Sequence, residues 1–201
     1  GGIFVGEIKS ALELALEKTR NVKSDPKTVE AHEHRNIGKR LATRLQEESD
    51  FDLKKELKQY SAERRNWVEE GFFQVVLAAI SLPTAEEELD RLNTLRDGLT
   101  VVLGKGKDLD YLFQQVHGLF KQYLDNRQQL IEQIRSQYAQ RMRQREQELS
   151  RQYGTQVQMD PASDPEFSKT LQDNLGRLQE QYQGVLEQVR DELSRMFEQR
   201  R

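Results

Sequence analysis

His32 and His34, in the stretch Glu30-Ala-His-Glu-His34, are the residues whose type most invites chemistry, because imidazole is the commonest metal ligand. Side chains two residues apart on a helix point about 200° away from each other, whereas helical metal pairs sit at i and i+4. The third histidine, His117, stands beside Val116 and reads as a residue at the edge of a core. No Glu-x-x-His pair occurs and the chain has no cysteine, so a thiolate site, a disulfide and a catalytic thiol are excluded. No metal site, cofactor or catalytic residue is expected. The sequence also lacks a Gly-x-Ser-x-Gly elbow, a Walker-type loop and a dinucleotide fingerprint. The expectation is therefore a protein that is not an enzyme.

Two further patterns carry charge. Gly104-Lys105-Gly106-Lys107 precedes a helix start, where free N–H groups and lysines could hold a phosphate, but Gly and Lys at a helix end are ordinary capping residues. An interhelix turn is the expectation. Arg141, Arg143, Arg145 and Arg151 form the densest basic run and could contact nucleic acid. They do not share one helical face, and Glu146 and Glu148 interrupt them, so pairing with an acidic neighbouring helix is the expected role. Apolar Val157, Met159 and Phe167 fall in a short Gly- and Pro-bounded connection. Such groups either close that connection locally or form a partner-binding surface, and they are the candidate partner contacts.

The elements that must position these residues are helices throughout. Asp25-Pro26 reads as an N-cap followed by proline at the first helical position, and Thr84/Glu87 and Ser163/Glu166 as capping boxes. Apolar spacing predicts helices over Glu7 to Arg20, with Ile8, Ala11, Leu12, Ala15 and Leu16 on one face, and Pro26 to Glu48, with Val29, Ile37, Leu41 and Leu45 on one face. Further helices are predicted over Asp52 to Ser81 and Ala85 to Leu103, the former turning apolar on all sides after Trp67. From Asp108 to Tyr153 there is no proline, and apolar residues recur every three or four positions, which predicts one helix of roughly 70 Å at 1.5 Å per residue. From Leu171 to Met196 the spacing is near-heptad, the mark of a coiled-coil seam.

A short connection makes these last two helices antiparallel neighbours. Leu149 with Leu171, Met142 with Leu178, Tyr138 with Tyr182, Ile131 with Val189 and Leu124 with Met196 all have residue numbers adding to 320, and this is the expected register. The architecture expected is all-α: a helical bundle head over residues 1–120 and a long antiparallel coiled-coil hairpin over residues 121–201.

The composition agrees. Charged residues make up 32% of the chain, the mark of an elongated helical surface, and a net charge of -3 gives no overall attraction to nucleic acid or anionic membrane. The most apolar stretch, Phe72 to Leu82, is shorter than the roughly 20 residues that span a bilayer, and Gly1 to Gly6 carries no basic leader. A cytoplasmic protein is expected. The segment Glu7-Ile-Lys-Ser-Ala-Leu-Glu-Leu-Ala-Leu-Glu-Lys-Thr19, with the Asp-Pro-Glu-Phe167 turn and the Gln-rich final helices, resembles an uncharacterised family of helical bacterial proteins. That resemblance implies a bacterial, all-helical protein and no activity. The functional expectation is a helical scaffold or protein-interaction module that docks a protein partner, or a second copy of itself, through the hairpin. The alternative is a nucleic-acid-associated protein using Arg141 to Arg151.

Overall fold

The computed structural model describes residues 10–200, apart from the side chains of residues 21–24. Among these residues there are seven α-helices and no strand: α1 (Ala11–Ser24), α2 (Pro26–Glu47), α3 (Leu53–Leu57), α4 (Ala62–Ala79), α5 (Asp90–Leu103), α6 (Lys107–Tyr153) and α7 (Pro165–Gln199). The all-α class follows. The chain divides into two compact units between Ala78 and Ala79.

In the first unit, α1 opens on a capping box: the Ser10 hydroxyl accepts the Glu13 N–H at 3.2 Å, and the Glu13 carboxylate accepts the Ser10 N–H at 3.0 Å. Glu7 and Ile8, expected to begin this helix, lie outside the described residues. No described residue covers the apolar face expected to pack, and every side chain from Ser10 to Arg20 is exposed. Asp25 caps α2 as expected, accepting the Lys27 N–H at 3.0 Å and the Thr28 hydroxyl at 2.9 Å.

The helix expected over Asp52 to Ser81 is broken, because α4 must run parallel to α2. Lys27 pairs with Glu63, Glu30 with Arg64 and Arg35 with Glu70, a near-constant offset that only parallel helices give. The 14 residues between α2 and α4 must therefore travel back along α2 by about 30 Å, and a continuous helix of that length would cover only about 21 Å. The return is made by irregular backbone around α3, which Asp52 caps by accepting the Lys55 N–H.

The buried face of α2 also differs from the expected stripe. Ala31, Gly38, Leu41 and Ala42 are buried, while Val29 is exposed. Small residues let the backbones meet: a Cβ built on Gly38 would stand 1.9 Å from the Val68 carbonyl oxygen, and one on Gly71 1.9 Å from that of Arg35. On α4 the apolar change after Trp67 has its expected consequence, with Val68, Phe72 and Val76 fully enclosed and Trp67 itself half-buried.

In the second unit, Leu89, Leu92, Leu95, Leu99 and Val102 are all buried, as the spacing requires. Residues Glu86–Leu89 form a 3-10 turn rather than the start of an α-helix, and the Thr84 N–H and hydroxyl reach Glu88, not Glu87. The Gly104–Gly106 stretch is the interhelix turn expected, with Gly104 at φ 89 and Gly106 preceding α6. At the start of this unit, Arg190 of α7 donates to the Ile80 carbonyl at 2.8 Å and Arg91 of α5 to the Ala79 carbonyl at 3.0 Å.

Helix α6 has 47 residues and α7 has 35, and they run antiparallel. Their register is not the expected one. Asn126 donates to the Tyr182 hydroxyl at 2.7 Å, Tyr138 meets Thr170 at 3.0 Å and Phe167 at 5.3 Å between ring centroids, and Tyr123 stacks edge-on with Tyr182 at 5.2 Å. These pairs have residue numbers adding to 305–308, about three to four helical turns away from 320. Keeping this register places Leu186 level with Phe120 and Leu193 level with Phe113, all four buried.

Candidate interaction site where the chain turns back from α6

The register shift originates in the connection between α6 and α7, where the candidate residues Val157 and Met159 lie. Gly154 ends α6 in the left-handed conformation at φ 68, donating to the Ser150 carbonyl at 2.9 Å. The chain then doubles back beside the last turns of α6. The Val157 N–H donates to the Ser150 hydroxyl at 3.1 Å and the Met159 N–H to the Glu146 carboxylate at 2.5 Å. Extended backbone advances about 3.3 Å per residue against 1.5 Å in a helix, so each returning residue passes about two residues of α6. The segment uses up α6 back to the level of Arg141 before α7 can begin.

Two Asp-Pro steps terminate this segment. Asp160 caps the short 3-10 turn Pro161–Ser163 by accepting the Ala162 N–H at 3.0 Å, and the Ser163 hydroxyl donates to the Asp160 carbonyl at 2.6 Å. Asp164, not Ser163, is the N-cap of α7 and accepts the Glu166 N–H at 2.9 Å. Proline at the first helical position follows in each case.

The candidate residues thus occupy different environments. Phe167 is buried in a cluster with Ile134 and Tyr138, flanked by Leu130 and Leu171, so it holds the helix pair together from inside. Val157 and Met159 are half-buried on the returning segment. Of the basic run, Arg141 alone pairs with the opposing helix, reaching Glu166 at 3.3 Å while its guanidinium lies 5.4 Å from the Tyr138 ring centre. That ion pair, strengthened by hydrogen bonding to Glu166, raises the Arg141 pKa. Arg143, Arg145 and Arg151 are exposed and make no ion pair among the described residues, so the expected pairing of the whole run is confined to Arg141. Arg143 and Arg151 line a depression of about 350 Å³ with Glu146, Ser150, Gln156 and Val157, and Tyr153, 66% exposed, stands at the adjoining end of α6.

The other sequence candidates are scattered. The His34 Nδ1–H donates to the Glu30 carbonyl at 2.7 Å and the ring lies near those of Tyr60 and Trp67, whereas His32 meets Asn36. Among the described residues no group of three or more His, Asp or Glu is placed to share a metal. Leu124 and Ile131, expected on the seam with α7, line a groove of about 570 Å³ beside Thr84 and Leu89. Sequence reasoning named Glu146 only as an interruption of the basic run and did not single out Ser150 and Tyr153; the doubled Asp-Pro step was the available signal that the chain is capped twice before α7 begins.

This arrangement defines an all-α protein whose two longest helices pair antiparallel. The model of the family of unknown function DUF6657 matches residues 54–195, and the chain belongs to that family. The match runs from α3 through most of α7. No curated protein and no solved structure matches the chain. No helix among the described residues is long and apolar enough to cross a membrane.

Proposed function

We propose that the chain is a non-enzymatic helical scaffold of the cytoplasm that docks a protein partner within residues 121–201, through an acidic segment of that partner. The observation behind this reading is the set of exposed arginines Arg143, Arg145 and Arg151, which have no ion-pair partner among the described residues. Arg and Tyr are the side chains most enriched at binding hot spots, and Tyr153 shares the same end of α6. Val157 and Met159 flank this surface, and Phe167 supports it from within. A nucleic-acid partner is the alternative that the same arginines favour, but Glu146 lines the depression with Arg143 and Arg151, and Glu146 and Glu148 interrupt the run.

Fluorescently labelled acidic peptides and a duplex oligonucleotide would be titrated against the wild-type chain and against the Arg143→Glu/Arg151→Glu variant. The expected result is binding of acidic peptide that the variant loses, with unchanged helical content. Oligonucleotide binding with a steep salt dependence would replace the protein-docking reading with the nucleic-acid one. Equal peptide binding by both chains would move the docking surface elsewhere.

A further inference from the structure

The segment that returns beside α6 spends its backbone on one side only. The Val157 N–H donates to the Ser150 hydroxyl at 3.1 Å and the Met159 N–H to the Glu146 carboxylate at 2.5 Å, so alternate N–H groups face α6. In extended backbone successive N–H groups point to opposite sides, and each shares its side with the carbonyl of the same residue. Those of Gln156 and Gln158 therefore point away from α6, and they meet no hydrogen-bond partner among the described residues. Exposure alternates in step: Gln156 and Gln158 are exposed, Val157 and Met159 half-buried. This is an open strand edge. Thr155 to Met159 carries neither charge nor proline, the usual means of keeping another strand from adding. Arg143 and Arg151 line the depression beside it, together with Gln156 and Val157.

Resting on the reading of this end as a docking site, we propose that the partner's acidic segment binds as an added strand, exchanging backbone hydrogen bonds with Gln156 and Gln158 and turning its carboxylates toward Arg143 and Arg151. Backbone pairing supplies affinity whatever the partner's side chains, and the arginines select an acidic sequence. A second copy of the same segment fits less well, because it would bring the Arg143, Arg145 and Arg151 of two chains together. The edge ends where the Pro161–Ser163 turn begins, so it takes one short stretch of extended chain.

The full chain is titrated with a fluorescent peptide of alternating glutamate and threonine. Gln156→Pro/Gln158→Pro deletes the two outward N–H groups and no hydrogen bond of the free chain. That variant should keep the wild-type circular dichroism and thermal transition while binding the peptide about tenfold more weakly, the worth of two backbone hydrogen bonds. Gln156→Ala/Gln158→Ala keeps both N–H groups and should bind like the wild type. Peptides N-methylated at every glutamate, or at every threonine, apply the same test from the ligand side and need no variant to fold. One set should lose binding and the other keep it, since only alternate N–H groups of an added strand face the chain. Undiminished binding by the proline variant, or equal binding of both methylated sets, would overturn strand pairing while leaving the docking surface in place. A wild-type chain that binds no acidic peptide would overturn both. Self-association of the wild type that the two prolines abolish would overturn the acidic occupant in favour of a second copy.

Discussion

Two residues show how a single side chain, or its absence, is fixed by its neighbours. At Gly38 the methyl group of alanine would meet the Val68 carbonyl oxygen at 1.9 Å, and backbone cannot yield as a flexible side chain can. Gly38→Ala should cost about 3 kcal/mol, the upper part of the usual range for overpacking, read by chemical denaturation. Gly118 has no atom within 4 Å of a built Cβ, so Gly118→Ala on the exposed side of α6 should instead stabilise by about 0.5–1 kcal/mol. Asp25 gives a pH signature. The Thr28 hydroxyl and the Lys27 N–H hold its carboxyl below the ordinary aspartate pKa. Its contribution is then fully present above the unfolded aspartate pKa and is lost as pH falls through the lowered folded value. Amide exchange at Lys27 and Thr28 should accelerate only in strongly acid solution, and Asp25→Asn, which keeps a capping oxygen, should remove that dependence.

Among elements, the α6–α7 pairing makes the sharpest commitment. The chain has no cysteine, so introduced pairs report cleanly. With a short bismaleimide, cysteines at Asn126 and Tyr182 should cross-link efficiently, because these side chains touch at 2.7 Å. Cysteines at Tyr138 and Tyr182 should not, since 12 residues of helix separate Tyr138 from Asn126, or about 18 Å. The reverse pattern would restore the tight-turn register and contradict the doubled-back segment. Helix α4 illustrates the same dependence on path. Its apolar sequence was plain, but its direction relative to α2 is seen only in the pairs Lys27–Glu63, Glu30–Arg64 and Arg35–Glu70, whose parallel offset requires the broken return around α3.

For the molecule as a whole, the constant register of α6 and α7 shows which part is separable. Met142 and Asp164 are level with one another, so residues 143–163 can be excised and the ends joined by a short Gly-containing turn without entering the Ile134–Tyr138–Phe167 cluster. The shortened chain should keep its helical circular dichroism and unfold cooperatively near the wild-type temperature, while losing acidic-peptide binding. Loss of cooperative unfolding would mean that the returning segment is part of the core and not a surface feature. An excision from Arg135 to Leu178 removes Tyr138 and Phe167 and should unfold this end of the pair.

The sequence by itself determined the helical class, most helix boundaries, the buried stripe from Leu89 to Val102, the turn at Gly104–Gly106 and the capping role of Asp25. All of these follow from spacing and backbone chemistry within a few residues. Only the tertiary structure decided that α2 packs through Gly38 and its small neighbours, because a glycine contributes nothing to an apolar stripe and its value is visible only when another backbone arrives. It likewise decided the α6–α7 register and the fate of Phe167. Residue numbers count positions, whereas contacts depend on distance travelled, and an extended segment travels about twice as far per residue as the helix beside it.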